Sequence, residues 1–166
     1  MDTSLIEEIC SAVMDAYKSI ESPNFGFVLK RDALEPYSKI IESIKKRYIV
    51  TDFTEFNFDS GYSWSIKDAS GEIMGLSISL VGKYAYLLGV GKDIRFVLNA
   101  GDCVSESESF VLSTLQAEGI KMLSLSDLEQ RLPIRLRDEL DLDFCGGESD
   151  LVFHWLFSRS RISDHI

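Results

Sequence analysis

FTEFNFDSGYSWSIKDASGEIMGLSISLVGKYAYLLGVGKDIRFVL, residues 53–98, carries a pattern of parity. Phe56 and Phe58, then Tyr62, Trp64 and Ile66, then Met74, Leu76, Ile78 and Leu80, then Tyr84, Tyr86 and Leu88, then Ile94, Phe96 and Leu98 all fall on even numbers. Side chains alternate between the two faces of a strand, so each run places its large apolar groups on one side. The stretch therefore reads as an antiparallel β-meander, which needs turns that preserve parity. Asp59-Ser60-Gly61 and Ala69-Ser70-Gly71 suit three-residue hairpin loops with glycine where φ is positive. They would set Phe58 opposite Tyr62, Phe56 opposite Trp64 and Ile66 opposite Met74. The turn around Val81-Gly82-Lys83 is the open point, because a two-residue Gly82-Lys83 turn would send every later side chain to the other face.

The odd-numbered face carries Glu55, Asn57, Ser63, Ser65, Lys67, Ser77 and Ser79. A sheet with one apolar and one small polar face packs helices on the first and leaves the second to solvent. The expected class is α+β, an antiparallel meander of about five to six strands with helices on one face. A serine-lined face is also a surface that a partner can use.

Moving outward, the amino-terminal residues 4–21 have Ser4 three residues before Glu7 and apolar groups at helical spacing, so they read as an amphipathic helix. Phe25 to Leu29 reads as an edge strand or an anchored loop. A second helix is expected over 32–47, capped by Asp32 three residues before Glu35, with Pro36 in its first turn, an inner stripe of Ile40, Ile41 and Ile44, and Glu42 able to pair with Lys46. Ser105 and Glu108 open a third helix over 105–118, closed by Gly119. Ile120 to Leu125 suits a sixth strand, and Ser126 with Glu129 a short capped helix ending before Pro133. Residues 134–144 read as a helical turn running into a loop, Leu151 to Phe157 as a short buried helix capped by Ser149 or Asp150, and 160–166 as a frayed tail. No linker-like break divides the 166 residues, so one domain is expected.

Composition narrows the function. With 17 basic and 27 acidic side chains the formal charge is −10. Nucleic acid and anionic membranes are polyanions that bind clustered Lys and Arg, so neither is an expected partner, whereas a basic protein surface is. No signal-like amino terminus and no apolar run of membrane length is present, which points to the cytoplasm. Cys10, Cys103 and Cys145 are odd in number and widely spaced, suiting reduced thiols. No C-x-x-C occurs and only two histidines are present, so neither a metal site nor a cofactor is expected.

The motifs that suggest catalysis each lack a required residue. Gly89-Val90-Gly91-Lys92-Asp93 fails as a phosphate loop, with Tyr86 at the first glycine position and Asp93 where Ser or Thr must stand. Gly61-Tyr62-Ser63-Trp64-Ser65 lacks the closing glycine of a nucleophile elbow. Asp141-Leu142-Asp143-Phe144-Cys145-Gly146 begins like a calcium loop but has a cysteine as third ligand and Val152 at the glutamate position. His154, between Phe153 and Trp155, reads as a core residue. The chain is thus expected to be a non-enzymatic binding protein.

In size, acidity, helix-then-meander layout and the carboxy-terminal Asp150-Leu151-Val152-Phe153-His154-Trp155-Leu156-Phe157, the chain resembles the bacterial immunity proteins that accompany polymorphic and contact-dependent growth-inhibition toxins. The resemblance implies a monomer that neutralises a cognate toxin domain, commonly a nuclease, by masking its basic surface. The contact residues would be Asp138, Glu139, Asp141 and Asp143, with Glu106 and Glu108 as a second acidic cluster. An alternative resemblance is to type III secretion chaperones, small acidic dimers that hold an extended effector segment.

Overall fold

The computed structural model describes residues 3–18, 24–57, 59–89, 91, 93–132 and 151–158. The α+β class stands: helices accompany a five-stranded, mostly antiparallel sheet in the order β1-β2-β3-β4-β5. Its strands are β1 (Ile49–Asp52), β2 (Gly61–Lys67), β3 (Ile73–Ser79), β4 (Tyr84–Leu88) and β5 (Lys121–Met122). The helices are α1 (Thr3–Tyr17), α2 (Gly26–Asp32), α3 (Ser38–Lys45), α4 (Glu106–Ala117), α5 (Leu125–Leu128) and α6 (Val152–Leu156).

The β2–β3 hairpin follows the expected register, with Ile66 opposite Met74 and Trp64 opposite Leu76. Gly71 takes φ +88 in its turn, and the Asp68 carboxylate accepts hydrogen bonds from the backbone N–H groups of Ser70 and Glu72 at 2.9 and 3.0 Å. The next connection does not preserve parity. Leu76 lies opposite Leu87 and Ile78 opposite Ala85, while Tyr86 lies opposite Ser77. Even numbers face one way in β2 and β3 and the other way in β4.

Two cores result. On one face Trp64, Ile66, Met74, Leu76, Ile78, Ala85 and Leu87 pack with Ile40, Ile41 and Ile44 of α3 and Val111, Leu112 and Leu115 of α4. On the other, Tyr84 and Tyr86 pack with α1, with Leu128 of α5 and with Val152, Phe153, Trp155 and Leu156 of α6. Helical cover on one face only, expected from parity, is corrected to cover on both. The cause is that β4 offers bulky side chains to each side, and burying each is worth about 1.5–3 kcal/mol.

Several expected elements differ. The Asp52 carboxylate accepts the Thr54 N–H at 2.8 Å and that of Asp59 accepts the Glu55 N–H at 3.0 Å, so the backbone leaves the ladder after Phe53, whose N–H still donates to the Ser63 carbonyl at 2.8 Å. The first strand is therefore β1, and Asp52 takes the place opposite Trp64 expected of Phe56. Residues 94–98 form only a bridge, Phe96 to Leu88, because β5 pairs with the start of β4, in parallel. Phe25 to Leu29 enters α2 instead of a strand. The expected helix over 32–47 is two pieces, since a residue before proline is kept out of the right-handed helical region and Glu35 sits at φ 45. The first helix stops at Tyr17, ahead of Lys18 at φ 63. The α4 cap is as expected, Ser105 Oγ accepting the Glu108 N–H at 3.2 Å, but α5 is capped by Ser124 instead of Ser126. The expectations for 134–144 and 160–166 lie outside the described residues.

The serines of the odd face are partly internal. Helix α6 has five residues, too few to satisfy its own terminal carbonyls. Ser79 Oγ donates to the Leu156 carbonyl at 2.6 Å, Tyr17 Oη to that of Trp155 at 2.8 Å, and the Ser60 N–H to that of Phe157 at 2.7 Å. Ser79 Oγ also accepts the Val81 N–H at 3.0 Å. Ser79→Val is expected to cost about 2 kcal/mol in urea unfolding, since it orphans both groups, whereas Ser65→Val, at a half-buried position, should be near neutral. Equal costs would refute the buried role.

Glu108 is fully buried and forms an ion pair with Arg95, whose side chain remains 29% exposed. Its second oxygen accepts the Val104 N–H at 2.7 Å. Removing Arg95 takes away the cation that meets this buried carboxylate, so Arg95→Met should destabilise by about 3 kcal/mol. Glu108→Gln, which keeps an acceptor, should cost about 1–2 kcal/mol. The reverse order in chemical denaturation would contradict this account.

Candidate partner-binding cleft

A cleft of about 350 Å³ opens where the α2–α3 corner meets the first two strands. One wall is α3, whose Ser38, Ile41, Glu42 and Lys45 share a face at helical spacing. The floor is the even-numbered surface of β2, Tyr62 and Trp64, with Asp52 beside Trp64 in the same cross-strand row. The α2–α3 connection contributes Asp32, Glu35 and Tyr37.

Aromatic packing shapes this floor. Tyr62 and Trp64 are stacked, with centroids 5.0 Å apart and an interplanar angle of 14°. Tyr37 and Phe56 meet the Tyr62 ring edge-on at 6.0 and 5.5 Å. Tyr62 Oη donates to Asp32 Oδ1 at 2.6 Å, and Tyr37 Oη to the Ser79 carbonyl at 2.6 Å. Burial, then the bond to Asp32 and its charge, push the Tyr62 hydroxyl well above the ordinary phenol range. Burial pushes Tyr37 up to about 12, with Arg31 opposing.

Four carboxylates, Asp32, Glu35, Glu42 and Asp52, line the cleft with a single ammonium, Lys45. The ion pairs found among the described residues are Arg95 with Glu108 and Lys121 with Glu8, so these four carboxylates have no basic partner there. The pairing of Glu42 with Lys46 expected along the second helix is not formed.

Of the sequence-derived contact residues, Asp138, Glu139, Asp141 and Asp143 lie outside the described residues. Glu106 is exposed in the first turn of α4, but Glu108 points into the core, so the second acidic cluster reduces to Glu106. The sequence offered Asp32 and Glu35 only at helix-capping spacing and Glu42 only as an intrahelical partner, and it did not single out Asp52. Their convergence depends on the break at Glu35-Pro36, for which the proline was the available signal.

A smaller groove of about 220 Å³ lies on the other side of the sheet, over Ser63, Ser65, Gly75 and Ser77, with Phe53 and Leu88 at its sides. His154 is buried in α6, as expected. Cys10 and Cys103 are half-buried free thiols, and Cys145 lies outside the described residues. Among the described residues no cluster of His, Cys, Asp and Glu could hold a metal ion, and no helix is long and apolar enough to cross a membrane. No protein-family model, curated protein or solved structure matches this chain.

The tyrosines give a pH signature. Burial holds both Tyr37 and Tyr86 at about 12 against an ordinary 10.0. The unfolded chain loses these protons first, so their contribution to stability is complete below pH about 10 and is lost as pH rises toward about 12. Followed by phenolate absorbance, these two hydroxyls should ionise late, and unfolding at high pH should release them together. Tyr37→Phe should reduce the loss of stability across that window.

Proposed function

We propose that this chain is a non-enzymatic protein-binding domain of the immunity type, which neutralises a toxin domain, a nuclease being the expected class, by covering a basic surface on it. The observation that carries this reading is the cleft, where exposed Glu35, Glu42 and Asp52 and half-buried Asp32 surround the half-buried Tyr62 ring beside one lysine. The formal charge of −10 extends the same preference over the whole molecule. A field of this sign raises the rate of encounter with a basic partner, and close charge pairs then hold it. Asp138, Glu139, Asp141, Asp143 and Glu106 belong to this reading as further sources of negative charge.

The alternative, a dimeric secretion chaperone, draws on a different observation. Ile49 and Ile73 flank Lys67 in one cross-strand row that starts at the edge strand β1, and are 67% and 57% exposed. Light scattering separates the two, since a chaperone runs as a dimer and an immunity protein as a monomer.

The direct test is co-expression with the carboxy-terminal domain encoded by the adjoining upstream reading frame. The expected outcome is restored growth and a stoichiometric complex that survives purification. Unchanged toxicity, or no complex, would refute the reading. Reversing Asp141 and Asp143 to lysine should slow association at low salt, with the difference closing as salt is added.

A further inference from the structure

We infer that the cleft between α3 and β2 receives an arginine side chain projecting from the partner protein. This rests on the proposed function and adds which chemical group is recognised and where.

Three features converge on a guanidinium. The floor is the half-buried Tyr62 ring, backed by the buried Trp64 stacked against it. A planar cation lies flat on such a ring and is attracted by its negative face. The protein packs its own arginines this way: the Arg47 guanidinium sits 4.2 Å from the Phe110 centroid and that of Arg31 5.2 Å from Phe27. The rim supplies carboxylates from separate elements, Glu42 from α3, Glu35 from the α2–α3 connection and Asp52 from β1, all on exposed residues. A fork of five N–H donors can engage carboxylates on two sides at once, which a lysine ammonium does less well. Finally, the volume of about 350 Å³ admits an extended side chain instead of only a surface contact.

Asp32 has a different part. Its carboxylate already accepts the Tyr62 hydroxyl at 2.6 Å, an arrangement that holds the ring in its stacked position. It is a positioning residue for the floor, while Glu35, Glu42 and Asp52 meet the cation.

The test uses the full chain and three peptides, acetyl-Gly-Arg-Gly-amide and its lysine and citrulline counterparts, titrated while the indole N–H of Trp64 is followed by NMR. The arginine peptide should shift the Trp64 signal saturably and leave that of Trp155, which lies in the other core away from the cleft, in place. The lysine peptide should bind less tightly, and the neutral citrulline peptide at least about tenfold less. The variant E35Q/E42Q/D52N should weaken arginine binding by about tenfold, whereas the charge-matched E72Q/E118Q/E129Q, exposed and away from the cleft, should change it by less than about twofold. Equal binding of the citrulline peptide, equal loss in the two variants, or no saturable shift at Trp64 overturns the inference. The failures separate. A toxin domain that still co-purifies with E35Q/E42Q/D52N removes the cleft from the interface while the proposed function stands. Arginine binding at Trp64 in a chain that protects against no toxin leaves the cleft standing and removes the function.

Discussion

The change of register between β3 and β4 governs the rest of the molecule. Side chains alternate strictly along a strand, so a connection that breaks parity sends every later residue to the opposite face. Residues 80–83 do this, and the connection is held from outside the sheet. Arg31 donates to the carbonyls of Leu80 and Val81, the latter at 2.8 Å, and Tyr37 to that of Ser79. Ala85 and Leu87 then complete one core while Tyr84 and Tyr86 begin another. A sheet with bulky apolar groups on both faces must be covered on both, and α6, far along the chain, supplies part of the second cover.

That cover explains the polar residues beneath it. A five-residue helix leaves carbonyls that must find donors once buried. Ser79, Ser60 and Tyr17 provide them, so part of a face that reads as wet by composition is the hydrogen-bonded underside of a helix. Glu108 belongs to the same logic. Its charge is tolerated in the interior because Arg95 and the Val104 N–H meet it there.

The cleft is a consequence of where the second helical segment breaks. Had residues 32–47 formed one helix, Asp32 and Glu35 would lie along its first turn. With Glu35 in the left-handed region ahead of Pro36, the chain turns, Asp32 meets Tyr62, and α3 stands beside the stacked rings of β2. A local steric rule thus brings carboxylates from three parts of the sequence to one aromatic floor, which is the basis for reading the protein as a receptor for a basic partner.

What could be read without coordinates was whatever depends on near neighbours. The β2–β3 hairpin, the cap and glycine stop of α4, the buried α6 and the strand at Lys121–Met122 follow from alternation, capping and turn chemistry, all short-range. The amino-acid sequence by itself determined the α+β class and the net negative charge. Only the tertiary structure decided which face of β4 points where, that Glu108 is internal while Glu106 is exposed, and that Asp32, Glu35, Glu42 and Asp52 converge. Parity along a strand is local, but parity across a turn depends on what holds the turn, and here that is a pair of side chains, Arg31 and Tyr37, about fifty residues away.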